Sequence, residues 1–465
     1  MNKIINLEKI KKKKFFFVFL ISFTLSSLLT LYLNINFNIL DKNYESLDYI
    51  RPALTLNNEA SFIEFFNSLS ARLPTYPLLI SFLFKIFGEN NYLSILLFQC
   101  FIHGITTVVL LKTVELFTKK FFLISFFLIA LNPNIFWQTG IILPETLMVF
   151  FIALGIYFML VFLIKKNLIK YLIFSSFFFG LSYITKPSAI FLPTSISLFV
   201  FLIFFFRNKS NFLRSLIFST IPLIIIYLLA SPIYYYNYLN TNKLNLTYQK
   251  GGHLLQYVYP CLSNKWGCGE RNKIALKKAL NLQEEAFEKN KDLIEIESSG
   301  NKHKKSIIES DIQTELFIKL LNEDIEKEQI ITSVTGSYIK TLFHTSVISI
   351  LQKHGVKYSE FSYKSYSKTD FEIKAYHVIW FIFQISLFFL RFFQLYSIFH
   401  ISFYNKKNIW VIIFLTLVSL SFLVTTIGIG NFRYRIPMEP FLFIITILGL
   451  KNFKKKIKNY KFKIV

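Results

Sequence analysis

The stretch FFFVFLISFTLSSLLTLYL, residues 15–33, decides the class of this protein. It carries no charge, and at about 1.5 Å per residue a helix of that length nearly crosses a ~30 Å hydrocarbon core. Comparable apolar runs follow at 92–111, 121–143, 146–164, 171–185, 187–206 and 215–235, and after a long polar gap at 375–390, 408–430 and 437–450. The whole chain of 465 residues is 53% hydrophobic and 18% aromatic, with 56 Phe and only 17% charged residues. A soluble chain of this size carries about a quarter charged residues. Disorder, a collagen-like fibre and a soluble globule are excluded. The sequence predicts an all-α polytopic membrane protein of about ten transmembrane helices.

The formal net charge of +25 does not point to nucleic acid, because the lysines are gathered in short clusters between apolar runs and no groove-reading motif accompanies them. The N-terminal MNKIINLEKIKKKK and the C-terminal KNFKKKIKNYKFKIV are strongly basic, so both tails are expected on the cytoplasmic side, with residues 15–33 a retained signal-anchor. Counting spans from that start also places the clusters at 119–120, 165–170, 207–214 and 406–407 inside. This agreement requires the short apolar segment 76–87, which contains Lys85, to be an outer juxtamembrane helix rather than a span. The resulting organisation is a basic tail (1–14), an N-terminal transmembrane module (15–235) with a polar first outer loop (34–73), and a large, partly helical outer loop (236–375). A C-terminal transmembrane module (376–450) and a second basic tail (451–465) complete it. Cys261 and Cys268 share the large outer loop, either as a small disulfide or as two free thiols.

No P-loop, HExxH, GxSxG or dinucleotide fingerprint is present, and the seven His show no paired ligand spacing, so neither a metal nor a soluble cofactor is indicated. The candidates that remain are polar residues at the outer ends of spans: Glu45 and Asp48 in the first loop, Arg72, Glu145 opening a span, Lys186 closing one, and Arg433 and Arg435 between the last two. Ionisable groups near hydrocarbon are costly and mark function unless a partner explains them. The bland readings are an Asp48–Arg51 surface pair, a helix-start role for Glu145, and snorkelling for Lys186 and Arg435.

The segment RLPTYPLLISFLFKIFG (72–88) resembles the R-x-P-G-Y-P…FG stretch of GT-C type glycosyltransferases that use polyprenyl-phosphate sugars, the protein mannosyltransferase-like and aminoarabinose-transferase-like families. ESLDYIRPALTL (45–56) resembles their D-x-x-x-Y-x-x-x-A-x-x-L signature, with Tyr49, Ala53 and Leu56 in register and Glu45 in the place of the acid. Gln99, ALNPNIF (130–136), ILPETL (142–147), GLSYITKPSAIFLP (180–193) and FRYRIPMEP (432–440) follow in the family's order, and SPIYYYNYLNTNKLNL and GGHLLQYVYP resemble the start of its large loop. Thr75 replaces the family's Gly, and Lys186–Pro187 its Arg-Pro.

The resemblance implies a GT-C-like fold with outer juxtamembrane helices and a helical outer domain, working from the periplasmic face of a bacterial inner membrane. It implies transfer of a sugar, with inversion, from a polyprenyl-phosphate donor to a glycolipid, glycan or protein acceptor. Glu45 or Asp48 would be the catalytic base; Arg72, Lys186, Arg433 and Arg435 would bind the donor phosphate; Tyr49, Tyr76, Glu145 and Tyr434 would contact substrate. A polysaccharide polymerase or ligase, or a lipid flippase or transporter, are the competing classes; a transporter is expected to show charged or broken helices at mid-bilayer.

Overall fold

The computed structural model describes residues 2–37, 44–58, 61–69, 72–165, 168–264, 272–298, 302–345, 347, 374–405, 408–427 and 429–461. Among these, seven helices are long and apolar enough to cross a membrane: Lys13–Asn36, Tyr92–Glu115, Glu145–Ile164, Pro187–Arg207, Phe212–Thr241, Ala375–Tyr404 and Arg433–Lys454. Shorter apolar helices occupy Thr75–Phe87, Phe122–Gln138, Ile169–Tyr183 and Ile409–Val424. The apolar run expected as one span at 121–143 is broken into Phe122–Ala130 and Pro133–Gln138. Asn132 causes the break by accepting the backbone N–H of Asn134 at 3.0 Å, and Pro133 starts the second helix at the position where a missing N–H does no harm.

The bundle packs through Ile156, Phe179, Phe199, Phe414 and Phe441, all fully buried. Large apolar side chains such as Phe17, Ile224, Leu228, Phe381 and Phe389 remain exposed on the flanks. In water such a surface would aggregate; against lipid it is the solvated face, while the helices satisfy their own backbone groups. The chain is an integral membrane protein.

Two polar pieces sit on this bundle. The first loop contains the helix Tyr44–Asn57 and a short helix, Phe62–Ser68. The latter starts at a capping box, Ser61 Oγ accepting from Glu64 N at 3.2 Å and Glu64 returning a carboxylate oxygen to Ser61 N at 2.7 Å. The larger piece is a polar helical unit built from Lys273–Lys289, Lys291–Ser298, Lys302–Asp324 and Lys327–Phe343, packed on the segment 250–262. Leu255, Tyr259, Leu262, Ala279, Phe317 and Leu320 form its own core, and Tyr259 Oη donates to Asp324 at 2.6 Å. Cys100 is a free buried thiol; Cys268, and with it the Cys261–Cys268 pairing, lies outside the described residues.

Gly251 is where this unit meets the segment beneath it. A Cβ there would lie 1.9 Å from the Ser310 carbonyl oxygen, a backbone atom that cannot swing aside. At the adjacent Gly252 the nearest atom, 3.3 Å away, belongs to the flexible Gln313 side chain. Gly251→Ala is therefore expected to destabilise the helical unit by about 1–3 kcal/mol, and Gly252→Ala to be tolerated. Proteolysis of 250–343 in the purified protein checks this: faster cleavage in the first variant and wild-type cleavage in the second.

Candidate active site

The helix Tyr44–Asn57 carries Glu45, Asp48 and Tyr49 at i, i+3 and i+4, which places all three on one face. Ser46 anchors that helix by donating to the Ile142 carbonyl at 2.9 Å, three residues before Glu145 opens its span. Thr75 donates to the Ile184 carbonyl at 2.7 Å, which fixes the Arg72 segment beside Lys186. Chain neighbours far apart in sequence are thus brought to one end of the bundle by side-chain to backbone bonds.

At their meeting point lies a network of three carboxylates and three cations. Arg433 is its centre: Nη1 donates to Glu45 Oε2 at 2.5 Å and Nε to Glu145 Oε1 at 2.6 Å. Lys186 Nζ donates to the same Glu145 oxygen at 2.7 Å. Arg72 Nη2 donates to Asp48 Oδ2 at 2.6 Å and sits over the Tyr49 ring, 5.2 Å from its centroid. Tyr49 meets Tyr76 edge to face at 5.4 Å, and the buried Tyr76 hydroxyl donates to Gln99 Oε1 at 2.5 Å. Gln99 in turn donates to the Thr139 and Ile141 carbonyls, so the aromatic floor under Arg72 is fixed.

The carboxylates differ in environment. The Glu145 side chain is fully buried, whereas those of Glu45 and Asp48 are 49% and 46% exposed. Glu145 Oε2 is buried and accepts no hydrogen bond among the described residues. Lys186 is mostly buried, and burial lowers its pKa, opposed by Glu145 and reinforced by Arg433. Burial likewise raises the pKa of Tyr49, keeping its hydroxyl neutral.

Nine of the ten residues singled out from sequence thus fall in or against this network: Tyr434 lies beside Arg433 and packs on the core of the helical unit. Arg435 does not. Arg433 and Arg435 sit on one 3₁₀ turn, Phe432–Met438, where two residues correspond to a rotation of about 240°. Arg433 reaches the network, and Arg435 turns into the protein, 1% exposed and bonded to Glu439 and to main-chain carbonyls. It is not placed to hold a phosphate beside Arg433. Sequence reasoning missed Glu439 and Arg391, which Arg435 joins; the signals were Glu439 four residues after Arg435 and a lone arginine in an apolar helix.

Residues 71–236 match the dolichyl-phosphate-mannose-protein mannosyltransferase family, a stretch that includes Arg72, Tyr76, Glu145 and Lys186. Over its whole length the chain is similar to the oligosaccharyltransferase AglB of Archaeoglobus fulgidus, solved in complex with an inhibitory peptide and a dolichol-phosphate. The TM-score is 0.51 at 15% identity, covering 97% of this chain and 51% of that one. The likeness is one of fold. An A. fulgidus oligosaccharyltransferase tethered to an acceptor peptide with an NVT sequon gives a TM-score of 0.49 at 15% identity, over 95% of this chain and 50% of that chain. The chain spans about half the length of these oligosaccharyltransferases. No curated protein matches it.

A lysine whose pKa falls on folding destabilises the fold wherever it remains protonated. Lys186→Met should therefore leave the melting temperature unchanged or raised. Glu145→Gln should lower stability by about 3 kcal/mol, because it leaves Lys186 and Arg433 facing each other without their shared counter-charge. Thermal melts of the two variants in detergent distinguish a site held under electrostatic strain from an ordinary structural ion pair, for which both would destabilise alike.

Proposed function

We propose that this chain is an integral-membrane glycosyltransferase that moves a sugar from a polyprenyl-phosphate donor to a hydroxyl-bearing acceptor on the side of the membrane opposite its basic tails. The observation that carries this reading is the network itself: three carboxylates held by three cations, drawn from four separate parts of the chain and gathered where spans begin and end. The family match over 71–236 and the GT-C fold support it.

In the reaction, the acceptor oxygen attacks the anomeric carbon as the bond from that carbon to the phosphate oxygen breaks. The bonding pair leaves on the phosphate, and the acceptor's proton passes to a carboxylate. Arg433, Lys186 and Arg72 face the charge that grows on the departing phosphate, and guanidinium groups can hold phosphate oxygens in pairs. Single displacement inverts the anomeric centre. Glu145 is too enclosed, and bound by too many cations, to serve as base. Glu45 takes the role of base: it is exposed, and its partner is the arginine that phosphate would engage. Asp48, also exposed, is its nearest substitute.

Protein in nanodiscs should transfer labelled sugar from a polyprenyl-phosphate donor and not from a nucleotide sugar alone. Glu45→Gln keeps shape and removes basicity, and a rate loss of about 10²–10⁴-fold with donor still bound is expected. Turnover of nucleotide sugar without lipid, or wild-type rates in both Glu45→Gln and Asp48→Asn, would contradict the reading.

A further inference from the structure

Beneath Arg433, around Arg435 of the same 3₁₀ turn, lies a second charged cluster, buried in the protein. Glu439, Arg435 and Arg391 are 4%, 1% and 3% exposed. Glu439 Oε1 accepts from Arg435 Nε at 2.6 Å, Arg391 Nη2 at 2.9 Å and Asn134 Nδ2 at 2.7 Å, and Oε2 accepts from Asn132 Nδ2 at 3.2 Å. Further donors of the two arginines are engaged as well. Arg435 Nη1 reaches the carbonyls of Thr341, Leu342 and His344 at 2.7, 2.9 and 2.9 Å. Arg391 Nε reaches Leu342 O at 3.1 Å, and its Nη1 reaches Gln394 at 2.7 Å.

One carboxylate therefore ties together four pieces of chain: the break in the helix at 132–134, the end of the polar helical unit at 341–344, the span Ala375–Tyr404, and the turn that bears Arg433. Stability does not call for such a cluster. Burying three charges is expensive, and apolar side chains of the same volume would pack as well or better. What charges add is a single geometry, because each lone pair and N–H accepts only one arrangement of partners. The turn is fixed from inside by Arg435, so its outward arginine, two residues earlier, has a fixed origin.

We propose that Glu439, acting through Arg435 and Arg391, is a positioning residue: it sets Arg433 in the phosphate subsite and couples the polar helical unit to that setting. It touches no substrate. The inference rests on the proposed role of Arg433, but its physical content, a turn and a helix end held by one carboxylate, can be measured separately. Glu439 and Arg391 lie outside the matched residues 71–236.

The test uses the full chain in nanodiscs, as wild type, Glu439→Gln and Glu439→Asp, with amide hydrogen exchange and steady-state kinetics. In Glu439→Gln the amides of 432–436 and of 341–345 should exchange about tenfold faster, and the KM for a polyprenyl-phosphate sugar should rise about tenfold while the acceptor KM stays constant. Glu439→Asp keeps the charge one methylene short and should fall between. Should Glu439→Gln not fold, Glu439→Asp carries both measurements, and wild-type exchange and donor KM in it overturn the proposal. Equal rises in donor and acceptor KM overturn it too, since a merely loosened fold would act on both. If no variant, wild type included, transfers sugar, the proposed function fails, and the exchange rates alone decide this inference.

Discussion

Arg433 is bonded to Glu45 and Glu145, residues 388 and 288 positions away along the chain, and that pair of contacts closes the protein around its site. No single element contains the site. The first polar loop supplies Glu45 and Asp48, the helix starts supply Glu145 and Lys186, and the last turn supplies the arginine that joins them. Such a cluster is tolerable only where each carboxylate keeps a cation, since a partly dehydrated charge without a partner costs several kcal/mol. Three carboxylates against three cations meet that condition in the absence of substrate. On the proposed function, an arriving phosphate competes with a carboxylate for its cation, and the one it displaces most readily is the exposed partner of Arg433, Glu45.

The same turn has two faces with different purposes. Its outward face presents Arg433 to the network; its inward face plants Arg435 among Glu439, Arg391 and the carbonyls that end the polar helical unit. The helical unit is thereby attached to the turn two residues from Arg433. Ile429 and Tyr434 extend that attachment with apolar contact to the unit's core.

Much of this was legible in the residues. Uncharged runs marked the membrane helices, and the restriction of ionisable residues to the ends of those runs marked the site, because hydrocarbon allows few other places for charge. Other features were not legible. Arg433 and Arg435 look equivalent in FRYRIP, and only the three-residue turn separates their directions. Arg391 reads as the end of an apolar run at 390, yet the helix continues to Tyr404 because its guanidinium is bonded inside the protein. The run at 121–143 hides its break, since Asn132 is uncharged and hydropathy does not register a cap. In each case the deciding fact is a partner distant in sequence, which local pattern does not carry.

On the proposed function, the Arg433 network receives the phosphate of a lipid-linked donor. A cryo-EM structure of the protein in nanodiscs with polyprenyl phosphate tests it most directly. Phosphate oxygens are expected about 2.7–2.9 Å from Arg433 or Lys186 nitrogens, with Glu45 released from Arg433. Phosphate density at the opposite end of the bundle, beside Lys119 or Arg207, with the Arg433–Glu45 and Arg433–Glu145 pairs intact, would contradict it.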